Sequence, residues 1–153
     1  MSGLPGSGKS TWVKKQLNNK GGFWASRDAM RFSMVREDEP YFEHENEVFN
    51  AWITQICEAL ANPLIEDIYI DATHLNDRSR EKTLSRLPKE NINRITNVVF
   101  LVPIETCLER NAQRVGREVV PEDVIRNMQK SFKMPKKYST LIVDADGREI
   151  ERE

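Results

Sequence analysis

The chain has 153 residues, of which 31% are charged, and its 23 basic and 24 acidic side chains give a formal net charge of −1. This length suits one domain with a substantial core. The near-neutral charge excludes a protein that coats nucleic acid through a globally basic surface, but it permits an enzyme that holds one or two nucleotides. The sequence has no apolar run of about 18 residues, so we predict one cytoplasmic domain, residues 1–153, without a membrane partner.

The first element is a glycine-rich motif at the start of the chain. Residues 3–10 read GLPGSGKS and match the phosphate-binding P-loop pattern G-x-x-x-x-G-K-[ST]. Glycines let successive backbone N–H groups point at phosphate oxygens, the lysine reaches the β- and γ-phosphates, and the serine hydroxyl holds Mg²⁺. The motif therefore predicts that ATP and Mg²⁺ bind through Leu4, Pro5, Gly6, Ser7, Gly8, Lys9, Ser10 and Thr11.

A P-loop normally follows a buried β-strand of about five residues. Here only Met1 and Ser2 precede Gly3. That strand usually occupies the centre of the sheet, and its absence would leave unpaired backbone groups on both neighbouring strands. We therefore expect that the first strand is truncated in this sequence and that upstream apolar residues would complete it.

Helices and strands alternate along the rest of the chain. Apolar periodicity and breaker residues predict helices at 10–19, 41–61, 76–87, 104–115 and 121–132, and strands at 23–26, 64–72, 98–102 and 141–143. Strands separated by helices indicate right-handed βαβ units. The predicted fold class is therefore α/β, a P-loop NTPase or kinase three-layer sandwich with a mostly parallel sheet. Ligands of such sheets bind beyond the carboxyl ends of the strands.

Two charged residues follow the strand predicted at 23–26. Asp28 lies just past that strand, and Arg31 lies one helical turn further on. A carboxylate at this edge can accept the proton of an acceptor hydroxyl, and Arg31 can orient the same substrate. Asp28 can equally cap the following helix, which is a common role for aspartate at a strand-to-helix joint. The pattern thus predicts a catalytic base, a helix cap, or both at Asp28.

The strand predicted at 64–72 ends in a second polar group. Asp71 follows an apolar run, as in a Walker B-like strand, and can position Mg²⁺ through water. A strand-end cap is the competing interpretation. Thr73 and His74 come next and are candidates for substrate contact, although a lone histidine is more often a polar loop residue.

Three arginines form a third charged group. Arg110 and Arg114 are four residues apart in one predicted helix, and Arg117 follows them. Side chains at this spacing project together, so the helix end and its loop can close over a triphosphate as a lid that supplies arginine. A solvated basic face is the alternative. Beside a P-loop we expect the lid, with Lys9, Asp28 and Arg114 as the catalytic residues.

Five blocks of the sequence resemble the 5′-hydroxyl polynucleotide kinases of phage and bacterial RNA-repair systems. They occur in the family's order and are GLPGSGKSTW at 3–12, SRDAMR at 26–31, DATHLN at 71–76, ERNAQR at 109–114 and VPEDVIR at 120–126. The resemblance implies that Lys9 and Ser10 bind ATP and Mg²⁺ and that Asp28 is the general base for a 5′-hydroxyl. It further implies that Arg31 binds a phosphate of the acceptor and that the arginines of the ERNAQR block clamp the triphosphate.

The sequence departs from this family at one block. The phage enzyme has Ser-Asp-Thr-Asn where this chain has Asp71-Ala72-Thr73-His74, so the carboxylate is displaced by one residue, whereas the bacterial repair kinases resemble the Asp-Ala-Thr form. The wider P-loop kinase group, which includes zeta-type toxins, uses the same layout for small hydroxyl acceptors and sugar nucleotides.

These patterns predict an ATP-dependent phosphotransferase. The predicted acceptor is the 5′-OH end of RNA or DNA, and a small molecule or a nucleotide sugar is the alternative. A nucleotide-dependent switch with only slow ATPase activity is a third interpretation. The pairing of Asp28 with Arg31 argues against the switch, since a switch has no need of an acceptor site.

Overall fold

The computed structural model describes residues 1–152, with side chains described up to residue 150. The helices are α1 Lys9–Lys20, α2 Arg27–Met34, α3 Glu45–Ala61, α4 Asp77–Leu84, α5 Ile104–Ala112 and α6 Glu122–Ser131. The strands are β1 Phe23–Ser26, β2 Ile68–Asp71, β3 Thr96–Phe100, β4 Ser139–Val143 and β5 Glu149–Arg152. Among the residues described, no helix is long and apolar enough to cross a membrane.

The strands form a mostly parallel sheet, which confirms the predicted α/β fold class. β1 pairs in parallel with β2, and β3 pairs in parallel with β4. β5 pairs with β4 in the antiparallel direction and lies at the edge of the sheet. We did not predict β5, because Glu149–Arg152 contain a single apolar residue and so show no repeated alternation of charged and apolar positions.

Residues 1–3 lie between β2 and β3. The N–H of Ser2 donates to the carbonyl of Val98, and the carbonyl of Ser2 accepts from the N–H of Phe100, both at 2.8 Å. On the other side, the N–H of Gly3 donates to the carbonyl of Thr73 at 3.1 Å. This segment therefore occupies the central position that we predicted for the strand before the P-loop, and its hydrogen bonds join the two pairs of strands.

Helices cover both faces of the sheet. Ala25 and Ile70 pack in a cluster with Trp52 of α3, whereas their chain neighbours Trp24 and Tyr69 pack in a cluster with Trp12 of α1. Because successive residues of a strand point to opposite faces, α3 and α1 lie on opposite sides of the sheet. The three layers that we predicted are therefore present, and the cores lie between the helices and the sheet.

Three predicted boundaries differ from the structure. Residues 41–44 form turns, so the helix predicted at 41–61 begins at Glu45. The strand predicted at 64–72 is limited to Ile68–Asp71, because Leu64 is 88% exposed and its N–H is held by the side chain of Asn62 at 3.0 Å. The helix predicted at 104–115 ends at Ala112, which changes the position of the arginines that follow.

Candidate functional site

The P-loop brings unpaired backbone N–H groups to the start of α1. Gly6 and Gly8 adopt φ angles of 81° and 94°, which side chains disfavour, and a Cβ on Gly6 would lie 2.5 Å from the carbonyl oxygen of Cys107. The first hydrogen bond of α1 runs from the N–H of Trp12 to the carbonyl of Gly8 at 3.0 Å. The N–H groups of residues 9–11 therefore have no partner within the helix and, with the helix dipole, form an anion-binding site.

Lys9 lies folded over this loop. Its Nζ donates to the carbonyls of Gly3 at 2.8 Å and Leu4 at 3.1 Å. Burial lowers the pKa of Lys9, the charges of Asp71 and Asp28 raise it, and the charge of Arg114 lowers it. These four charged groups thus share one electrostatic neighbourhood, although four different parts of the chain supply them.

Two other P-loop residues, Ser7 and Leu4, differ in the groups that they offer to a ligand. The Ser7 hydroxyl is buried and has no hydrogen-bond partner within the described residues, as expected of a group that awaits a ligand. The side chain of Leu4 instead packs in the core with Ile104 and Ile125, so only its backbone belongs to the loop surface. The prediction that Leu4 binds nucleotide is therefore restricted to its main chain.

A cavity of about 970 Å³ lies over the P-loop and the ends of β1 and β2. It brings together most of the predicted site residues, namely Pro5, Gly6, Ser7, Gly8, Lys9, Ser10, Thr11, Asp28, Arg31, Asp71, Thr73, Arg110, Arg114 and Arg117. A second cavity of about 390 Å³ shares Ser7, Gly8, Thr11 and Arg110 with the first and is bounded by residues 143–147. The two cavities therefore meet at the P-loop.

Arg110 and Arg114 reach the P-loop side of the cavity from different elements. Arg110 lies in α5 and donates to the carbonyl of Gly6 at 3.4 Å and to the carbonyl of Ala145 at 2.6 Å. Arg114 follows the end of α5, so the prediction that both arginines lie on one helix face is wrong, and its guanidinium contacts only the carbonyl of Glu118 at 3.4 Å. Both cations therefore have backbone partners that a phosphate oxygen can replace.

We define residues 113–119 as the lid segment. Its two ends are joined by Asn111, whose side chain donates to the carbonyl of Val120 at 2.6 Å and accepts from the N–H of Val120 at 2.9 Å. Arg117, at the middle of the segment, donates to the carbonyl of Val35 and lies 4.9 Å from the ring centre of Phe32. The lid segment thus crosses the cavity from the P-loop side to α2.

Asp71 and Ser10 fit the protein share of a magnesium site. Asp71 is 7% exposed at the end of β2, where its Oδ2 accepts from Nε1 of Trp24 at 2.9 Å, and Ser10 presents an exposed hydroxyl at the start of α1. Within the described part of the chain, no group of three or more His, Cys, Asp or Glu side chains could hold a metal. Mg²⁺ commonly takes one or two protein oxygens and completes its shell with phosphate and water, so this donor set suits it.

Asp28 lies in the first turn of α2 and is not the cap of that helix. The cap is Ser26, whose hydroxyl accepts from the N–H of Ala29 at 3.1 Å. The capping interpretation of Asp28 is therefore wrong. The Asp28 side chain is 67% exposed and faces the cavity.

Arg31 is buried and has its charge paired. Its Nε and Nη2 donate to the two carboxylate oxygens of Glu45 at 2.6 and 3.0 Å, and its Nη1 donates to Oδ1 of Asp28 at 2.5 Å. Burial alone would lower the pKa of Arg31, but the hydrogen bond with Glu45 and the nearby acidic groups raise it overall. The guanidinium therefore stays charged and committed to two carboxylates, which argues against the predicted contact with a substrate phosphate.

Sequence reasoning missed three members of this network. Tyr41 donates its hydroxyl to Oδ1 of Asp28 at 3.0 Å, Glu45 binds Arg31, and Arg27 donates to Glu45 at 3.2 Å. Tyr41 was assigned to a helix, whereas it lies in a loop. Only the position of Arg27 beside Asp28 was a usable signal, because the other two residues lie 13 and 14 positions from their partners.

Thr73 and His74 follow β2 at the floor of the cavity, but only one of them lines it. Thr73 lines the cavity, and its contact with substrate stays a prediction. His74 is 7% exposed, and its ring nitrogens lie 2.8 Å from the carbonyl of Met1 and 3.0 Å from the hydroxyl of Thr83. Burial lowers the pKa of His74 to about 3, so the ring is neutral near pH 7. The structure thus contradicts the prediction that His74 contacts substrate, because both nitrogens are occupied inside the fold.

The parallel sheet, the P-loop and the arginines beside it define a P-loop kinase fold. A family model described as AAA domain matches residues 1–135, and the chain belongs to that family. Solved structures agree on the fold. One is a sugar kinase from Janibacter sp. HTCC2649, with 19% identity and a TM-score of 0.65 over 96% of this chain and 84% of that one.

Two further structures share this fold. A gluconokinase from Sinorhizobium meliloti 1021 is 20% identical, with a TM-score of 0.61 over 94% of this chain and 79% of that one. A deoxyadenosine kinase from M. mycoides with bound dATP is 18% identical, with a TM-score of 0.51 over 95% of this chain and 89% of that one. At these identities the likeness is one of fold.

Proposed function

We propose that this protein is an ATP-dependent phosphotransferase that moves the γ-phosphate to a hydroxyl group of a small, uncharged acceptor. The observation that carries the proposal is a contrast within one cavity. Lys9, Arg110 and Arg114 have backbone carbonyls as partners, whereas Arg27 and Arg31 are paired with carboxylates. One side of the cavity therefore suits a polyphosphate, and the other suits a neutral molecule.

The donor half of the cavity comprises the P-loop, Asp71, Arg110 and Arg114. In the proposed complex the N–H groups of residues 9–11 and the ammonium of Lys9 bind the β- and γ-phosphates. Ser10 and Asp71 hold Mg²⁺, which when bound neutralises charge on the phosphate oxygens. The second cavity, beside residues 143–147, takes the nucleobase, because it opens directly onto the P-loop.

The acceptor half comprises α2, residues 35–44 and the first turn of α3. In the proposed reaction Asp28 accepts the proton of the acceptor hydroxyl. The hydroxyl oxygen forms a bond to the γ-phosphorus, the bond between that phosphorus and the bridging oxygen breaks, and ADP leaves. Arg114 of the lid segment compensates the charge on the transferred group.

The walls beside Asp28 support a small, uncharged acceptor. Four carboxylates line this part of the cavity beside three cations, which are Asp28, Glu37, Glu39 and Glu45 against Arg27, Arg31 and Arg117. This balance disfavours an acceptor with several phosphates. The cavity also has many apolar lining residues, including Phe32, Tyr41, Phe42, Val119, Val124 and Met128, which suit a sugar ring or a nucleoside.

The fold relatives support the same proposal. The three structures are a sugar kinase, a gluconokinase and a deoxyadenosine kinase. Sugars and nucleosides are small, uncharged hydroxyl compounds, whereas gluconate carries one carboxylate, so all three structures support a small acceptor and two of them support an uncharged one. A cavity of about 970 Å³ has room for such a compound beside a triphosphate.

The 5′-OH end of RNA or DNA is a second candidate acceptor. The five sequence blocks that resemble polynucleotide kinases favour it, and they include Asp28 and Arg31. For a polynucleotide to bind as the resemblance implies, Arg31 must exchange at least one carboxylate partner for a phosphate of the acceptor. The two candidates therefore differ in what they require of Arg31.

A transfer assay with radiolabelled γ-phosphate tests the proposal. The acceptors are two uncharged compounds, glucose and deoxyadenosine, the anion gluconate, and matched 5′-OH RNA and DNA oligonucleotides. We expect a higher kcat/KM for glucose or deoxyadenosine than for gluconate or either oligonucleotide, and a preference for gluconate would contradict an uncharged acceptor. A tenfold preference for an oligonucleotide would establish the second candidate instead. Hydrolysis of ATP without transfer to any acceptor would contradict both and favour a nucleotide-dependent switch.

A further inference from the structure

The two oxygens of the Asp28 carboxylate have different surroundings. Oδ1 accepts from Nη1 of Arg31 at 2.5 Å and from the hydroxyl of Tyr41 at 3.0 Å. Within the described residues, Oδ2 receives no hydrogen bond from the protein. Two donors on one oxygen restrict rotation of the carboxylate and leave the other oxygen available to a ligand in the cavity.

The hydroxyl of Tyr41 acts as a hydrogen-bond donor to the Asp28 carboxylate. Burial and the negative charge of Asp28 raise the pKa of Tyr41 to about 12, so the hydroxyl keeps its proton near pH 7. The same hydroxyl accepts from Nη1 of Arg31 at 3.2 Å, and the ring lies 4.7 Å from the guanidinium carbon of Arg31. The phenol, the guanidinium and the carboxylate thus form a closed triangle.

The triangle is anchored by further contacts with α2 and α3. Both carboxylate oxygens of Glu45 accept hydrogen bonds from Arg31, and Arg27 binds the same Glu45. The ring of Tyr41 also lies edge to face with Phe32 of α2, with 6.1 Å between ring centres. Tyr41 therefore has a fixed position relative to α2 even though it lies in a loop.

We propose that Tyr41 is a positioning residue, whose hydroxyl holds Oδ1 of Asp28 so that Oδ2 faces the acceptor hydroxyl. This inference rests on the proposed function, since it assigns Asp28 the role of base. Tyr41 acts through Asp28 and does not itself touch the reacting atoms. A preorganised base needs its orientation fixed by neighbouring groups, and Arg31 with Tyr41 supplies two such contacts.

The test is Tyr41→Phe, which keeps the ring and removes only the hydroxyl. Its matched control is Tyr138→Phe, because Tyr138 is an exposed tyrosine that does not line either cavity. The probes are radiolabelled ATP with deoxyadenosine, gluconate and a 5′-OH DNA oligonucleotide. We expect kcat to fall by about tenfold or more, which is the size of effect of a hydrogen bond to a charged group, with the KM for ATP unchanged.

The pH dependence of kcat distinguishes a positioning role of Tyr41 from a purely structural one. The charged or titratable groups that act on Asp28 are Arg27 and Arg31 of its own helix, Tyr41 of the loop and Lys9 across the cavity. Loss of a donor to the carboxylate raises its pKa, so the acidic limb of kcat against pH should move up by about one pH unit in Tyr41→Phe. A merely structural role would lower the melting temperature and leave this limb in place.

A carboxyl carbon NMR spectrum gives a second readout that needs no acceptor. The Asp28 signal is assigned by its loss in Asp28→Asn, and we expect this signal to shift in Tyr41→Phe but not in Tyr138→Phe, because one hydrogen-bond donor to the carboxylate is lost. An unchanged Asp28 signal, or wild-type kcat in Tyr41→Phe, overturns the inference and leaves the proposed function intact. Wild-type protein that transfers phosphate to none of the probes contradicts the proposed function and overturns the inference with it.

Discussion

The donor and acceptor halves of the cavity have similar numbers of cationic side chains but arrange them in opposite ways. In the donor half, Lys9, Arg110 and Arg114 contact backbone carbonyls and make no ion pair with any described carboxylate. In the acceptor half, Arg27 and Arg31 form ion pairs with Glu45, and Arg31 also pairs with Asp28. A carbonyl partner can be exchanged for a phosphate oxygen at low cost, whereas breaking a buried ion pair leaves an unpaired charge.

Under the proposed function, this difference allows one cavity to bind two unlike substrates. The cationic groups of the donor half are available to a triphosphate. The acceptor half uses its cations internally, to orient Asp28 and Glu45. The lid segment spans both halves. Asn111 joins its two ends near the P-loop side, and Arg117 contacts Val35 beside α2. Phosphate recognition and acceptor orientation are therefore assigned to separate parts of the chain.

The largest effect should follow from removing a donor-half cation. Lys9→Ala should lower phosphate transfer by about 10²- to 10³-fold, because in the proposed complex the Lys9 ammonium binds the β- and γ-phosphates. Lys20→Ala is the matched control, since Lys20 lies in the last turn of the same helix and does not line either cavity. Steady-state kinetics measures both variants. Wild-type transfer by Lys9→Ala would remove the basis of the donor half.

A somewhat smaller effect is expected for the lid segment. Arg114→Ala should lower kcat at saturating ATP by about tenfold or more, because arginines that compensate the charge of a transferring phosphate have large effects on rate. Arg126→Ala serves as the control, since Arg126 is exposed in α6 and pairs with Glu122. If Arg114→Ala changes only the KM for ATP, the lid arginine binds ATP without taking part in transfer.

Removing the carboxylate that pairs with Arg31 tests the acceptor half. Glu45→Gln should destabilise the fold by about 1–3 kcal/mol, because a buried guanidinium loses its charged partner. It should also raise the relative kcat/KM for an oligonucleotide acceptor, since Arg31 then becomes available to phosphate. Thermal melts and the acceptor assay measure the two effects. Glu47→Gln, two residues further along α3 on the exposed surface, should show neither of them.

The last effect is the pH dependence of the cavity floor that the two halves share. His74 is buried with a pKa of about 3, well below its unfolded value, so the unfolded chain binds the proton more readily. Stability should therefore be fully present above about pH 6.5 and fall by about 1 kcal/mol per pH unit as the pH drops toward 3. Urea denaturation between pH 7 and pH 4 measures this slope. A slope that is the same in His74→Gln would assign the acid sensitivity to other groups.

The donor half could be predicted from sequence because its chemistry is carried by the backbone. Eight residues at fixed spacing specify the P-loop, and Asp71 is identified by the apolar strand before it. The sheet followed from the same kind of signal, since alternating strands and helices allow few arrangements. The central position of residues 1–3 was expected from the P-loop itself.

The acceptor half could be predicted only in part because it depends on long-range side-chain contacts. Asp28 and Arg31 were visible beside a strand, but their partner Tyr41 lies in turns that the sequence suggested were helical, and Glu45 lies at the start of α3. His74 was misplaced for the same reason, since its partner Thr83 lies in the following helix. Burial and pairing of polar groups depend on tertiary packing, which spacing along the chain does not encode.

The most direct test of the account is the behaviour of Asp28→Asn, with Asp123→Asn on the exposed surface of α6 as its control. The measurement is Mg·ATP affinity by calorimetry together with single-turnover transfer to the best acceptor of the panel. Since Asp28 makes no hydrogen bond with the P-loop, we expect a nearly unchanged ATP affinity and a loss of transfer of about 10²- to 10⁴-fold. Arg31 keeps Glu45 but loses one of its two charged partners, so the melting temperature should fall slightly. Transfer at the wild-type rate would contradict the assignment of Asp28 as base, and a parallel loss of ATP affinity would contradict the division of the cavity into two halves.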